Sequence, residues 1–235
     1  MVSNTDQASV PQGNTIRLWL FAALACAAAA GCASGEDDAL APDVAELMVA
    51  ADHDEVARIE TLLASGTDVG EVDRSGRTAL MHAAENGSMG ALSLLLDEGA
   101  DLESATPEGV TALMDAARSG RAAAVTVLAT RGAILARLSD LEYRPAAIHL
   151  AAKEDHADCL EALLDAGADI DQLEGSASTP LMYAAYYDGP SAARFLIAAG
   201  ADLNARDEED LTALALAQDA GNQEIEALLL SAGAR

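Results

Sequence analysis

The residues of this chain that come nearest to a metal or nucleophile site are two histidines and one cysteine. His156 and Cys159 are three positions apart, so they share one face if their segment is a helix. Together with His149 they present imidazole and thiol groups, which serve as zinc ligands and as nucleophiles in proteins. Whether they act in this way depends on the elements that carry them.

The rest of the sequence contains no recognisable catalytic pattern. It has no glycine-rich phosphate loop, no nucleophile elbow and no metalloprotease motif. Its aspartates and glutamates are spread along the chain and are not gathered into a pair, and none has the spacing of a calcium loop. We therefore predict a protein that is not an enzyme and that binds no metal and no cofactor.

The first 32 residues have the order of a secretory signal. Leu18 to Ala30 form an apolar run of 13 residues, which Arg17 precedes and small residues follow. A secretory signal has an apolar stretch of about 7 to 15 residues, whereas a membrane span needs roughly 20. We expect residues 1–32 to be an export segment and residues 33–42 to be a short polar tether.

The end of this segment resembles the lipobox of bacterial lipoproteins. Small residues precede a cysteine in the string AAGC, and the resemblance implies that its Cys32 is lipidated and becomes the new N-terminus. Cys26, at the end of ALAC, is the alternative. Because Ala33 is not aspartate, the resemblance implies an outer-membrane lipoprotein that faces the periplasm. A soluble periplasmic protein and a protein anchored in the inner membrane are the alternatives.

The remaining chain repeats a short string at a nearly constant interval. A threonine at the head of most strings can cap a helix, and paired alanines within them allow a second helix to pack closely. The pattern predicts helix-turn-helix units. The strings AELMVAA, TALMHAA, TALMDAA, AAIHLAA, TPLMYAA and TALALAQ start at Ala45, Thr78, Thr111, Ala146, Thr179 and Thr212, at intervals of 33, 33, 35, 33 and 33 residues.

A turn must follow the first helix of each unit so that the chain can reverse. A residue in the left-handed conformation is expected there, and glycine adopts this conformation more readily than aspartate. The sequence places Gly87, Gly120 and Gly221 at this point in three units and Asp54, Asp155 and Asp188 in the other three.

A second glycine closes each unit and is followed by Ala-Asp in three of them, as at Gly99. A period of 33 residues with TPLH-like openings and Gly-Ala-Asp endings is similar to the ankyrin repeat. The resemblance implies an all-α solenoid of six helix-turn-helix repeats, each of about 33 residues, in residues 43–235. The repeats are expected near 43–73, 74–106, 107–139, 142–174, 175–207 and 208–235.

The same resemblance implies structural roles for the three candidate ligands. His149 corresponds to the histidine of the TPLH motif, and His156 corresponds to a histidine that is common in the repeats. Cys159 falls on an apolar position that is expected to be largely buried. The repeat pattern therefore favours packing over metal binding or nucleophilic chemistry for all three residues.

The chain is strongly acidic, with a formal net charge of −26. Such a surface repels nucleic-acid phosphates and anionic lipid headgroups, so we expect no nucleic acid as a partner and no membrane contact except through an N-terminal lipid. The charge either keeps the surface solvated or steers a basic protein partner, and the sequence leaves both interpretations open. We expect a monomer.

The tyrosines are concentrated in the C-terminal half of the array. Three of them have i, i+3, i+4 spacing and share one face of the first helix of the fifth repeat. Polar residues at the aligned positions of the second and third repeats indicate that this face is exposed, and exposed tyrosines are typical of binding hot spots. Packing against the next repeat is the alternative. The predicted partner-binding residues are Tyr143, Leu150, Tyr183, Tyr186, Tyr187 and Leu216.

A second candidate is the acidic turn Asp207-Glu208-Glu209-Asp210, which can complement a basic partner. The resemblance to ankyrin repeats implies that partners lie against the inner helices and the loop tips. The hypothesis is therefore a protein–protein interaction module of the bacterial cell envelope that inhibits an enzyme, as an immunity protein does, or supports another envelope protein. A passive structural envelope lipoprotein is the alternative.

Overall fold

The computed structural model describes residues 41–137 and 145–235. The chain divides into two compact units, Met1–Ala39 and Leu40–Arg235, and the first of them lies outside the described residues. Cys32, its alternative Cys26 and most of the predicted tether therefore lie outside the described residues, as does Tyr143.

Twelve helices make up the described part of the second unit, and short connections of two or three residues join them in pairs. The first helix begins one residue before the predicted domain boundary at residue 43. The helices are α1 (Pro42–Asp52), α2 (Val56–Ala64), α3 (Ala79–Asn86), α4 (Met89–Asp97), α5 (Ala112–Arg118), α6 (Ala122–Thr130), α7 (Ala147–Lys153), α8 (Ala157–Asp165), α9 (Pro180–Tyr187), α10 (Pro190–Ala199), α11 (Ala213–Ala220) and α12 (Gln223–Ala232).

The helices form two layers. The odd-numbered helices, called inner helices below, contact one another in chain order, and so do the even-numbered outer helices. These contacts continue from α5 to α7 and from α6 to α8, so the stack is unbroken across the longer connection between the third and fourth repeats. The predicted all-α solenoid of helix-turn-helix repeats is confirmed.

Each helix is too short to be stable alone, because isolated helices of fewer than about 12 residues are marginal in water. The stack supplies the missing free energy by burying the apolar residues of every helix between two neighbours. The paired alanines of the inner helices, such as Ala83 and Ala84, are fully buried and permit close helix contact. Larger side chains fill the space between the layers, including Leu80, Leu92 and Leu163.

Threonine caps begin most inner helices, as the sequence predicts. The side-chain oxygens of Thr78, Thr111 and Thr179 accept a hydrogen bond from the backbone N–H three residues later, and that of Thr212 does the same. The first and fourth repeats are the exceptions, since Ala41 and Ala146 have no side-chain oxygen and leave α1 and α7 without a side-chain cap.

The predicted left-handed residues end or follow the inner helices. Three are glycines, and Asp54, Asp155 and Asp188 have φ angles of 58°, 60° and 62°. Two of the aspartates have a further role that compensates for the less favourable backbone conformation. Asp54 accepts a hydrogen bond of 2.6 Å from the N–H of Ala91, and Asp155 accepts one of 2.7 Å from the N–H of Ala192. Each carboxylate thus caps the outer helix of the following repeat.

The described residues contain no helix that is both long enough and apolar enough to cross a membrane. Apart from the helices, they contain only two isolated β-bridges, which join Val72 to Thr78 and Ala105 to Thr111 at the base of two loops.

Candidate functional site

The fourth residue of the inner helices changes in chemical type along the stack. From α3 to α11 this residue is a histidine, an aspartate, a leucine, a tyrosine and a leucine in turn. The N-terminal repeats therefore place ionisable groups at this position and the C-terminal repeats place apolar or aromatic groups there. The five residues are His82, Asp115, Leu150, Tyr183 and Leu216.

Asp115 is the centre of an ionic cluster, which we define as Arg77, Glu85, Asp115 and Arg118. Its carboxylate is almost fully buried and accepts hydrogen bonds of 2.9 Å from Arg77 and 2.6 Å from Arg118. Glu85 forms an ion pair with Arg77 on the open side of the cluster. Burial raises the pKa of Asp115, and the two arginines oppose this effect. Two cations and two anions balance within the cluster.

His82 lies between two carboxylates. Its Nδ1 is 2.9 Å from Asp52 and its Nε2 is 3.0 Å from Asp73, so the side chain connects α1, α3 and the loop between them. Burial alone would raise the pKa of Asp73, but hydrogen bonds from Ser75, from the Arg77 N–H and from His82 outweigh it and lower the pKa to about 2. The polar groups of the second repeat are thus satisfied within the protein.

The exposure predicted for Tyr183 is wrong, because this residue is only 7% exposed. Leu150 and Leu216 are each 5% exposed, so they too lie within the core and do not form an open apolar stripe. The reason is the close contact between successive inner helices, which covers the fourth residue of each one. The prediction treated the polar residues at this position in other repeats as a sign of exposure, whereas Asp115 is itself buried.

Tyr186 and Tyr187 lie one turn further along α9 and are half-buried. The two rings meet edge to face, with centroids 5.1 Å apart and an angle of 82° between their planes. The Tyr187 ring is also 5.9 Å from that of Tyr183, which in turn lies 5.1 Å from the His149 ring. We call Tyr183, Tyr186 and Tyr187 the tyrosine cluster. One of its members is buried, and two reach the surface.

A single cation lies against this cluster within the described residues. The Lys153 Nζ is 4.9 Å from the centroid of the Tyr187 ring, at a distance typical of a cation–π contact. The same amine is 3.6 Å from a carboxylate oxygen of Glu154, so its charge is paired. Burial is the largest of the causes that raise the pKa of Tyr187 to about 12, and the neighbouring Tyr186, Glu154 and Glu174 add to it. Burial and Glu174 raise the pKa of Tyr183 as well.

Glu174 is a buried carboxylate in the loop before α9, with 5% of its surface exposed. Its Oε1 accepts hydrogen bonds of 3.0 Å from the N–H of Ser176 and 3.3 Å from the N–H of Ser178. No basic side chain of the described residues forms an ion pair with it. Its negative charge is therefore held in place by hydrogen bonds from Ser176 and Ser178, and it forms no ion pair with a cation of the described residues.

The acidic turn before the last repeat is held by contacts within the protein. The Asp207 Oδ1 accepts hydrogen bonds from the N–H groups of Glu209 and Leu211, which closes the turn. Asp210 forms an ion pair of 2.9 Å with Arg206. Glu208 is exposed and makes a backbone contact with Ser176 in the preceding loop. Binding by this turn stays a prediction.

Each of the three candidate ligands has a structural role or environment of its own. His149 is fully buried and its Nε2 donates to the carbonyl oxygen of Ser178, while His156 Nε2 donates to the carbonyl oxygen of Arg118. Cys159 is fully buried, and burial raises the pKa of its thiol to about 11. No group of three possible metal-binding side chains occurs in the described part of the chain.

Two residues of this region were not among the predicted contact residues. Lys153 aligns with Tyr186 of the next repeat, and a comparison of aligned positions through the fourth repeat could have found it. Glu174 occupies the loop position of Asp73 and Asp207, where an acidic residue closes the turn in several repeats. Its burial and its electrostatic effect on the pKa values of Tyr183 and Tyr187 depend on tertiary packing, so no pattern in the sequence points to them.

Comparison with known protein families matches the ankyrin repeats (three copies) twice, at residues 47–138 and 143–235. The ankyrin repeat domain of human ASB11 has a TM-score of 0.73 and 31% identity, covering 83% of this chain and 85% of that one. A chain from the complex of a predatory endopeptidase of Bdellovibrio bacteriovorus with an immunity protein has a TM-score of 0.68 and 26% identity, covering 79% and 97%.

An ankyrin repeat domain from Acinetobacter baumannii has a TM-score of 0.67 and 28% identity, covering 80% of this chain and 98% of that one. Inversin from Danio rerio is 36% identical over 91 residues, and the match spans 39% of this chain but only 9% of inversin. Ankyrin repeats are protein–protein interaction modules. Because the family matches extend over both halves of the repeat array, the chain belongs to the ankyrin repeat family.

Proposed function

We propose that this protein is an interaction module of the bacterial cell envelope, held by a lipid at Cys32, that binds another protein across the inner helices of its fourth and fifth repeats. The observation that carries the proposal is the pair of half-buried rings of Tyr186 and Tyr187, which meet at the surface of α9. Large, rigid and amphipathic side chains of this kind dominate the binding energy of protein interfaces.

Inhibition of an enzyme, as by an immunity protein, is the role we favour. The likeness to a chain from an endopeptidase–immunity protein complex supports it, since the identity is 26% and nearly the whole of that chain is covered. A shared fold does not identify the protein that is bound, because the binding surface of a repeat scaffold varies while the scaffold itself is constant. The inhibited enzyme therefore has to be identified by capturing the partner from an envelope extract with this protein.

A single-site footprint tests the location of the contact. Lys153 is the only lysine in the sequence, and it lies against the Tyr187 ring. Acetylation of amines, followed by mass spectrometry, should modify Lys153 in the free protein and should be strongly reduced after incubation with an envelope extract. Equal modification in the presence of a bound partner would place the contact elsewhere on the chain.

A matched pair of variants tests the residues. The variant Tyr186→Ala with Tyr187→Ala should recover at least tenfold less partner from an envelope extract, since hot-spot residues contribute about 2 kcal/mol or more each. Asn86→Ala with Ser119→Ala alters the positions aligned with Tyr187 in the second and third repeats and should leave recovery unchanged. A passive structural lipoprotein would recover the same proteins with both variants.

A labelled fatty acid tests the anchor. Incorporation should be lost in Cys32→Ser and retained in Cys26→Ser, and the wild-type protein should fractionate with the outer membrane. Label that persists in Cys32→Ser but not in Cys26→Ser would assign the lipid to the alternative cysteine. An unlabelled protein in the soluble periplasmic fraction would contradict the anchor and leave the binding surface unaffected.

A further inference from the structure

We propose that Asn86 is a site of spontaneous deamidation and that its conversion to a carboxylate weakens the junction between the first and second repeats. Asn86 is the only asparagine of the sequence that a glycine follows. Its side chain is exposed at the end of α3, so water reaches it. The inference goes beyond the proposed function, because this junction belongs to other repeats than the proposed interface.

The reaction needs only the chain itself and water. The backbone nitrogen of Gly87 gives up its proton and attacks the side-chain Cγ of Asn86. A bond forms between these two atoms, the bond from Cγ to Nδ2 breaks, and the side-chain nitrogen leaves as ammonia. Water then opens the cyclic imide at one of its two carbonyl carbons, so that residue 86 becomes an aspartate or an isoaspartate. Asparagine is one of the thermolabile residues of proteins.

Gly87 is suited to act as the nucleophile. It has no side chain that would shield its nitrogen, and it follows α3 in the left-handed conformation with a φ angle of 73°. Its N–H donates to the carbonyl oxygen of Ala83, and this hydrogen bond has to open before the attack. The bond belongs to the last turn of an eight-residue helix, and helix ends open at a small cost in free energy. Local fraying of α3 therefore frees the nucleophile while the rest of the stack stays folded.

The contacts of the Asn86 amide identify what the reaction removes. Its Nδ2 donates to Oδ1 of Asp52 over 2.8 Å and to the carbonyl oxygen of His82 over 3.2 Å. Asp52 belongs to α1 and also lies 2.9 Å from Nδ1 of His82, so the amide is part of the polar contact between α1 and α3. The same hydrogen bonds restrain the amide. Asp52 is therefore expected to slow the reaction.

The product carries the wrong charge for this place. A carboxylate at residue 86 cannot donate to Asp52, and the two negative charges repel each other. It also lies at the C-terminus of α3, where the helix dipole disfavours an anion. An isoaspartate in addition lengthens the backbone before Gly87 and so disturbs the last hydrogen bond of the helix. Both products therefore loosen the first repeat from the second.

Peptide mass spectrometry of the full chain tests the modification. After prolonged incubation in mildly alkaline buffer, the peptide with Asn86 should gain the mass that replacement of NH2 by OH adds, whereas the peptides with Asn204 and Asn222 should not. Asp52→Ala should raise the rate about fivefold, because the amide loses its hydrogen bond to the carboxylate. Glu60→Ala removes an exposed carboxylate of the same repeat and should leave the rate unchanged. Incubation in urea, which should modify Asn86, is the positive control.

Two variants separate the new charge from the lost hydrogen bond. Asn86→Asp and Asn86→Ala both remove the donor to Asp52, but only the first adds a negative charge. In urea denaturation, Asn86→Asp should lower the equilibrium constant for folding about tenfold and Asn86→Ala about threefold. An unmodified Asn86 in the folded chain, equal modification of the three asparagines, an unchanged rate in Asp52→Ala, or equal effects of the two variants at residue 86 would each overturn the inference.

Discussion

The second and third repeats and the fifth repeat place very different side chains at the same point of the same scaffold. In the former, Asp115 is paired with two arginines and His82 lies between two carboxylates. In the latter, Tyr183 packs on His149, and the half-buried rings of Tyr186 and Tyr187 meet at the surface of α9. The first region joins neighbouring repeats through ionic contacts, whereas the second presents aromatic surface.

The chemical type of the fourth residue of an inner helix therefore does not indicate how exposed that residue is. Asp115 is 1% exposed and Tyr183 is 7% exposed, although one is ionised and the other aromatic. What distinguishes the regions is the groups around that position. Arginine side chains from the loop and helix reach Asp115, while the corresponding loop residue of the fourth repeat is Pro145, which has no charge to contribute.

The largest expected effect concerns the buried member of the tyrosine cluster. Tyr183→Ala should lower the free energy of unfolding by about 4 kcal/mol, because it removes a buried ring between His149 and Tyr187 and leaves a cavity. Tyr186→Ala should cost less than about 1 kcal/mol, since its ring is half-buried. Urea denaturation measures both. Equal losses of free energy in the two variants would contradict the distinction between a buried and a half-buried tyrosine. Tyr183→Phe is the control, because it removes only the hydroxyl.

An exchange between the regions should produce the next largest effect. Asp115→Leu introduces the residue of the fourth repeat and should cost about 3 kcal/mol, because Arg77 and Arg118 lose their shared buried carboxylate. Combining it with Arg77→Met should restore part of this loss, since well-packed apolar groups can replace a buried ion pair. Urea denaturation of the single and double variants checks this. A double variant less stable than the single one would contradict the balanced ionic cluster.

A stabilising substitution should come from the repeat between the two regions. His149 is fully buried, its Nδ1 has no hydrogen-bond partner among the described residues, and α7 has no side-chain cap because residue 146 is alanine. Ala146→Thr should raise the free energy of unfolding by about 1.5 kcal/mol by capping α7 and offering a hydroxyl to the imidazole. Thermal or urea denaturation measures the gain. Thr179→Ala, which removes the corresponding cap of α9, should cause a loss of about 1 kcal/mol.

The smallest expected effect depends on pH. The folded pKa of Asp73 is about 2, below its ordinary value of 3.8, so its ionised form stabilises the fold above pH 4 and this contribution is lost as the pH falls towards 2. Asp73→Asn should therefore cost about 1 kcal/mol at pH 7, since part of the carboxylate is in water, and the difference from wild type should close in acid. Denaturation curves from pH 7 to pH 2 measure it. A difference that stays constant with pH would show that the carboxylate charge is not responsible.

The repeat architecture could be predicted in detail, because its determinants are local. A threonine that caps a helix and a glycine that adopts positive φ act within a few residues, so their recurrence marks every unit. The candidate site could be predicted only in part. The i, i+3, i+4 spacing brought the three tyrosines together, but the aligned polar residues predicted an exposure for Tyr183 that the packing of α7, α9 and α11 removes.

By itself, therefore, the sequence determined the period, the caps, the helix pairs and the acidic character of this protein, since each depends on residue type and short-range spacing. Only the tertiary structure decided which of the conspicuous side chains are satisfied internally and which face outward. The pairing of Arg77 with Asp115 joins residues 38 positions apart through the stacking of repeats. Such contacts depend on how neighbouring repeats pack, and no local pattern records them.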